Sequence, residues 1–382
     1  MHIPATLVRG GTSKCWLFNQ VHVPAERALL ERVLVGAYGA SDPVQLDGVG
    51  GATPTTSKAA VVGASPRADV DVDYLFAQVG IGTGTVEWGS NCGNCATAIA
   101  LYAVAKGLVP ITGDRTRVVM HNTNTGSVLE AEVDTAGGVV HEFGTRTVPG
   151  TLSGGVAVDL TFRSPGGGTT GALLPTGVAA EELRAGDGPL RVSMVDAGAP
   201  VVLVDALQAG RTGAETLDRM RADVPWLRGV RHAAAARMGL LRPGQEPGDA
   251  VPKAGLVGPP QPYTTTLGEH VAAEDYDVSV RMLSMNSPHP AIGLTSAVAL
   301  AAANSRTGTV VSEAVAAGAV AGEASGRPGR STLRIGTPAG VLAVRSDGTT
   351  ADGPDRVTVC RAARILCEAA ILVPDVATTT AA

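Results

Sequence analysis

Two stretches of small apolar residues with helical spacing, 96–105 and 297–303, each follow a polar turn. The first turn, Glu87-Trp88-Gly89-Ser90-Asn91-Cys92-Gly93-Asn94-Cys95, predicts a loop that becomes a helix at about Asn91. The second runs from Ser284-Met285-Asn286-Ser287-Pro288-His289-Pro290 through Gly293-Leu294-Thr295-Ser296 into its Ala-rich helix. Shorter alternating runs surround the first of these. Residues 5–9 and 15–18 read as strands about the turn Gly10-Gly11-Thr12-Ser13. Residues 24–39 read as a helix, with Pro24 in its first turn and Leu29, Leu30, Val33, Leu34 and Tyr38 as its apolar stripe. A glycine-rich loop, 47–52, leads to Thr55-Thr56-Ser57-Lys58 and a strand through Val62, and another strand covers 70–81. Strands resume at 115–122, 127–133, 139–143 and 155–162.

Gly166-Gly167-Gly168-Thr169-Thr170-Gly171 cannot continue a regular element and marks a boundary. A similar order of elements follows: strands at 190–196 and 200–205, a helix at about 214–240, a strand at 254–257, a Pro-rich loop at 258–263 and a strand at 278–282. The halves read as distant copies, each presenting a helix N-terminus, and two such ends facing one another would clamp a polyanion. Residues 313–331 read as a mobile loop, 331–344 and 356–373 as the last strands, and the tail after Pro374 as disordered. Many short strands around one or two apolar helices predict an α+β protein, a sheet wrapped on a helix rather than a doubly wound fold.

Composition narrows the class. At 382 residues the chain can hold two domains, and 45% hydrophobic residues is ordinary for a globular protein. No apolar run is long enough to span a membrane, and Met1-His2-Ile3-Pro4 lacks the pattern of a secretory leader, so a cytoplasmic protein is expected. Five cysteines without framework spacing suit a reducing compartment. A net charge of -5, spread along the chain, leaves no footprint for nucleic acid or a membrane surface. Lysine occurs only at positions 14, 58, 106 and 253, and a buried lysine, unlike arginine, can give up its proton. Lys14 and Lys58 sit in similar settings, Gly11-Thr12-Ser13-Lys14 and Thr55-Thr56-Ser57-Lys58.

At the helix start Cys92 would meet free N–H groups and the positive end of the helix dipole, which favour anions and lower a thiol pKa. Gly93 would let backbone approach a ligand. Asn91, Gly93 and Asn94 would hold a carboxylate, or cap the helix without any ligand. Cys92 and Cys95 also form a C-x-x-C, elsewhere a redox dithiol or half a zinc site. With no second such pair, Cys95 reads as helix core and no metal is expected.

The order of Arg9-Gly10-Gly11-Thr12-Ser13-Lys14, Asp47 to Ala52 with Thr56-Ser57-Lys58, Asp73-Tyr74-Leu75-Phe76-Ala77-Gln78-Val79, Asn91-Cys92-Gly93-Asn94, Asn122-Thr123-Asn124-Thr125, Leu174-Pro175-Thr176-Gly177, Val195-Asp196-Ala197-Gly198 and Arg281-Met282-Leu283-Ser284-Met285 resembles the PrpF family over nearly the whole chain. The resemblance implies a diaminopimelate-epimerase-like fold of two related domains, each a barrel-like sheet around a central helix, with the site between them. It places 1–183, completed by 356–382, in the first domain and 184–355 in the second. It implies no cofactor. It also implies proton transfer within a small unsaturated di- or tricarboxylate of the methylaconitate, oxalomesaconate or methylitaconate type.

In that chemistry a base near neutral pKa removes a carbon-bound proton, and donors meet the enolate-like charge. Lys58 matches the family's base position, where neighbouring cations and partial desolvation would lower its pKa. Cys92 matches a catalytic cysteine of the related epimerases, and would donate the proton or only line the pocket. The resemblance also places Ser13, Lys14 and Ser57 among the substrate contacts, Lys14 equally as the partner of a supporting ion pair. In the second half Arg281, Ser284 and His289 would contact carboxylates. Thr295 and Ser296 stand where an epimerase has its second cysteine, which favours isomerisation over racemisation. Asn286-Ser287-Pro288 replaces the glycine common at this turn. A racemase of amino or hydroxy acids and a catalytically silent polycarboxylate-binding protein are the alternatives. A homodimer is expected from the prevalence of two-fold oligomers.

Overall fold

The structure, a computed structural model, describes residues 1–89, 92–185, 188–242, 244–318 and 330–373. By packing the chain forms two units, Met1–Leu160 with the chain from Cys360 onward, and Thr161–Val359. This division falls earlier than the expected boundary after residue 183, and later than the expected return at 356. It cuts within two strands, Val156–Arg163 and Arg356–Leu372.

In the first unit β1 (His2–Gly10) and β2 (Ser13–Asn19) form a hairpin, and β3 (Lys58–Ala64) lies parallel to β2 and antiparallel to β4 (Val72–Val79). Next to β4 lie the short β5 (Val86–Glu87), antiparallel, and β6 (Arg115–Asn122), parallel; β6 forms a hairpin with β7 (Val128–Asp134). β8 (Val156–Arg163) follows, and the C-terminal strand Arg356–Leu372 pairs antiparallel with β1.

Helix α1 (Arg27–Tyr38) buries Leu30, Val33, Leu34, Ala37 and Tyr38 on a core that includes Ile3, Trp16, Phe18 and Val79. Pro24 lies before it rather than in its first turn, since the N-cap is Glu26. Helix α2 (Gly93–Ala105) is buried from Gly93 to Val104 and packs on β1, β2, β3, β4, β6 and β7. Small side chains all round this helix let strands close on every face of it. The strand expected at 139–143 does not form. Gly137 and Gly138, both at positive φ, turn the chain out of β7, and Val139 and Phe143 are exposed.

The second unit contains β9 (Glu181–Ala185), β10 (Gly188–Ala197) and β11 (Ala199–Asp205), successive antiparallel neighbours, then α3 (Leu217–Arg237). β12 (Lys253–Gly258) is parallel to β11 and antiparallel to β15 (Val278–Ser284), with the small ribbon β13 (Tyr263–Thr264) and β14 (His270–Val271) between them in sequence. β16 (Ser287–Pro288) folds back on β15 before α4 (Leu294–Asn304), which is buried from Leu294 to Ala303 and repeats the role of α2. Residues 313–318, expected as loop, belong to α5 (Val310–Gly318), whose Val310, Val311 and Ala314 are buried. The rest of that expected loop up to 329, and the tail from 374, lie outside the described residues. β17 (Arg330–Thr337) and β18 (Gly340–Asp347) form a hairpin where one long strand was expected, and β18 pairs with the start of β19 (Arg356–Leu372).

The glycine-rich segment 166–171 is held by one carboxylate. Asp196, 1% exposed, accepts from the N–H groups of Thr169 (2.7 Å) and Thr170 (2.6 Å) and from the Thr170 hydroxyl (2.9 Å). Among the described residues no helix is long and apolar enough to cross a membrane.

Candidate active site

Lys58 opens β3, directly opposite Gln78 on β4. Tyr74, Phe76 and Gln78 alternate on one face of β4, so Phe76 is the diagonal neighbour of Lys58. The buried Lys58 amine donates to Gln78 Oε1 and lies 5.2 Å from the Phe76 ring centroid. Gln78 is oriented in turn by its Nε2, which donates to the Ser57 carbonyl at 2.9 Å. The buried Tyr38 hydroxyl donates to the Lys58 carbonyl at 2.5 Å. Past the end of the β4–β6 ladder, Asn124 takes the place of a strand: it accepts from Phe76 N–H (2.7 Å) and donates to Phe76 O (2.8 Å) and Trp88 O (2.6 Å).

Ser57, expected to meet substrate, is fully buried, and its hydroxyl accepts from Gln45 Nε2 at 2.8 Å, so it anchors the start of β3 instead. Gln45 also accepts from Ala52 N–H at 2.8 Å and packs on Gly50, where a Cβ would come 2.2 Å from Gln45 Oε1. A Cβ at Gly48 would lie 2.2 Å from the Tyr38 carbonyl carbon. Gly48 thus packs closely on the end of α1 and Gly50 on the Gln45 side chain.

Cys92 is the N-cap of α2, and its sulfur accepts from Cys95 N–H at 3.4 Å. It is partly exposed, whereas Cys95 and Cys15 are buried, and the Cys95 thiol is hydrogen-bonded to those of both Cys15 and Cys92. The expected lowering of the Cys92 pKa is reversed. The hydrogen-bonded Cys95 thiol, with burial, holds Cys92 well above the usual thiol range; the Lys58 charge and the Cys95 N–H oppose this without overcoming it. A thiol so placed keeps its proton at neutral pH, which suits a proton donor better than a nucleophile. Among the described residues no cluster of three or more His, Cys, Asp or Glu could hold a metal ion.

Asn91 lies outside the described residues. Asn94 is buried with its amide engaged: Oδ1 accepts from Arg361 Nη2 (2.9 Å) and Nδ2 donates to Thr12 Oγ1 (3.1 Å). It therefore ties the helix start to the β1–β2 turn, and a free carboxylate-binding amide is not what this geometry provides. Gly93 is buried, its carbonyl accepting from Thr97 Oγ1 at 3.0 Å. Ser13, 5% exposed, sits opposite Gly10 in the hairpin, and Lys14, half-buried, is held by its N–H on Thr55 O at 3.0 Å. Lys58 and Cys92 belong to the same unit, and the Lys58 charge acts on the Cys92 thiol. Gln78, Phe76, Asn124 and Arg361 are the supporting residues that sequence reasoning did not assign. The alternation along 74–78 would have found Gln78 and Phe76; nothing local marks Arg361.

In the second unit Arg281 does not present a free fork. It is 2% exposed, with Nε on Glu215 O (2.7 Å), Nη1 on Val280 O (2.9 Å) and Gly336 O (3.2 Å), and its guanidinium carbon 5.1 Å from the Tyr263 ring centroid. These donors brace carbonyls rather than a substrate carboxylate. Ser284 ends β15 opposite Ser287. His289 is buried; its N–H donates to Met282 O at 2.8 Å and its Nδ1 accepts from Ala291 N–H at 3.0 Å, which puts the proton of a neutral ring on Nε2. Thr295 and Ser296 are buried in the first turn of α4 behind the N-cap Gly293. The turn that departs from the family glycine is held by Arg231 Nη2 on Met285 O (2.8 Å) and by Asn286 Nδ2 on Asp249 Oδ2 (2.7 Å).

An α+β chain with a buried, Ala-rich helix in each unit defines the fold class. A solved probable proline racemase has this fold at a TM-score of 0.51 and 12% identity, covering 98% of this chain and 94% of that one. A solved methylitaconate-delta-isomerase is more similar, with a TM-score of 0.78 and 30% identity over 98% of this chain and 96% of that one. The model of the PrpF protein family matches residues 1–374. The 2-methyl-aconitate isomerase of Shewanella oneidensis is 35% identical over 399 residues, with 97% of each chain covered. The (4E)-oxalomesaconate Delta-isomerase of Novosphingobium sp. strain KA1 is 34% identical, again with 97% of each covered. The chain belongs to the PrpF family and is an isomerase.

Proposed function

We propose that this protein is a cofactor-independent allylic isomerase of a small unsaturated di- or tricarboxylate of the methylaconitate, oxalomesaconate or methylitaconate type. Lys58 is the base that takes a proton from the allylic carbon, and Cys92 returns one to the other end of the three-carbon system. The substrate class is that of the relatives' names, 2-methyl-aconitate, 3-methylitaconate and (4E)-oxalomesaconate isomerases. The observation that carries the reading is a buried Lys58 amine held on a neutral amide oxygen, in the same unit as a helix-capping Cys92 thiol that keeps its proton. Gln78 holds the Lys58 amine by a hydrogen bond, 5.2 Å from the centroid of the Phe76 ring. Gly93, Ser13 and Lys14 are the nearby candidates for carboxylate contact; Ser284, His289, Thr295 and Ser296 are those of the second unit.

A proton NMR screen in D2O against these acids tests the reading. The wild-type protein incorporates deuterium at the allylic carbon of its substrate, and Lys58→Ala abolishes that exchange; equal exchange in both proteins removes Lys58 from the chemistry. A racemase is disfavoured because its solved neighbours share the fold alone at 12% identity and because Thr295 and Ser296 offer no second thiol. Thermal stabilisation by these acids with no spectral change would instead mark a binding protein. The same reading includes the two epimerase-like domains, a homodimer, which sedimentation measures, and a cytoplasmic location.

A further inference from the structure

β19 brings Arg361 into the first unit, 267 positions along the chain from Asn94. Its guanidinium is 2% exposed, Nη2 donates to Asn94 Oδ1 at 2.9 Å, and Nε is buried without a hydrogen-bond partner among the described residues. Asn94 passes the contact on to Thr12. A Cβ at Gly11 would lie 2.2 Å from Asn94 Oδ1 and 2.9 Å from Arg361 Nη2, so turn, amide and guanidinium form one close-packed contact behind the residue that follows Cys92 by two. Burial, and after it the charge of Arg9, bring the Arg361 pKa down to about 10, against the opposing influence of Cys92, which favours its protonation. Among the described residues no carboxylate is bonded to Arg361, and folding alone disfavours a buried cation left unbalanced.

We propose that Arg361 is a positioning residue for the reaction: through Asn94 it fixes the first turn of α2, and its charge favours the thiolate left when Cys92 gives up its proton. This rests on the reading of Cys92 as the acid. In that step the Lys58 amine takes the allylic proton and becomes an ammonium, while the C–H electron pair shifts through the double bond. At the far carbon a C–H bond forms as the Cys92 S–H bond breaks, leaving a thiolate. Transfer of a proton from the ammonium to the thiolate restores both groups. The groups that face Cys92 are Lys58 from β3, Cys95 from α2 and Arg361 from β19; Arg9 acts on Arg361, and Cys15 and Tyr38 lie beyond Cys95.

The test is the pH profile of Cys92 alkylation by iodoacetamide, followed by peptide mass spectrometry, alongside kcat and KM on the substrate found by the NMR screen. In Arg361→Gln the alkylation midpoint should rise by about one pH unit, with kcat about tenfold lower and KM nearly unchanged. Arg361→Lys keeps the charge but not the fork. Its midpoint should stay near wild type while kcat still falls, because Asn94 loses its planar partner. An unmoved midpoint in folded Arg361→Gln, or wild-type kcat in folded Arg361→Lys, overturns the proposal. Full activity in Cys92→Ala would sink the acid assignment, whereas the alkylation profiles would still decide whether Arg361 acts on the thiol.

Discussion

Lys58 and Gln78 face each other across the β3–β4 ladder, and the amide oxygen of Gln78 accepts from the amine of Lys58. Because Gln78 Nε2 is fixed on the Ser57 carbonyl, the amide cannot flip, so the amine meets a carbonyl oxygen and not an NH2 group. The acceptor facing this buried lysine is neutral, so no carboxylate pairs with the amine through this contact. A glutamate at position 78 would pin the ammonium instead.

Gln78→Glu should therefore suppress turnover more than Gln78→Ala. The glutamate variant is expected to lose about 100-fold in kcat, the scale of a lost general base, and the alanine variant about tenfold through misorientation of the amine. Steady-state kinetics with deuterium exchange at the allylic carbon would check the order, and equal losses would remove the electrostatic explanation.

Tyr38→Phe removes the hydroxyl that donates to the Lys58 carbonyl from a fully buried ring. Losing one partner of a buried hydrogen bond should cost about 1–3 kcal/mol. The urea midpoint is the readout; a variant as stable as wild type would show that water replaces the hydroxyl.

Gly10→Ala should disturb stability and activity together. Its Cβ would come 2.0 Å from the Asn94 carbonyl oxygen and 2.8 Å from Ala98 N, both backbone atoms of α2, so the helix must move away from β1. Overpacking of this kind costs about 1–3 kcal/mol, and the displaced turn carries Cys92. A thermal melt with an activity assay checks it; wild-type activity would mean the helix start can shift without consequence.

Alkali should weaken the fold before it strips the protein of its other charges. Cys92, Cys95 and Tyr38 all have pKa values raised in the folded state, by thiol hydrogen bonding or burial. Between the ordinary thiol pKa of about 8.5 and the raised folded values, the unfolded chain has fewer protons than the folded one, so stability falls as pH rises. Urea midpoints should be level near pH 7 and decline above about 8.5. Cys92→Ala and Cys95→Ala should flatten the decline.

Asp196→Asn should loosen the segment 166–171. The carboxylate receives two backbone N–H groups and one hydroxyl, all on the same oxygen. Hydrogen bonds to a charged group are worth about 1.5–3 kcal/mol, and a neutral amide can turn its NH2 toward these donors. Hydrogen exchange at Thr169 and Thr170 should accelerate; unchanged protection there would assign the segment's order to its glycines alone.

The pattern of small apolar residues was enough to find α2 and α4, because a helix buried on every side must be apolar on every side. The spacing of most of the strands around them was legible too, and Lys58 and Cys92 drew notice because scarce residue types stand out in linear order. The strand expected at 139–143 failed because alternation says nothing about whether a partner edge exists. The pKa of Cys92 moved the other way because the Cys95 thiol and burial outweigh the Lys58 charge and the Cys95 N–H, and burial cannot be read from linear order. Asn94 looked like a ligand and became a strut, and Arg361 had no motif at all, since both depend on β19 returning to pair with β1. Sequence determined which elements form and which groups can do chemistry. Tertiary structure decided which of those groups are spent on holding others, because desolvation and hydrogen-bond partners are properties of neighbours in space.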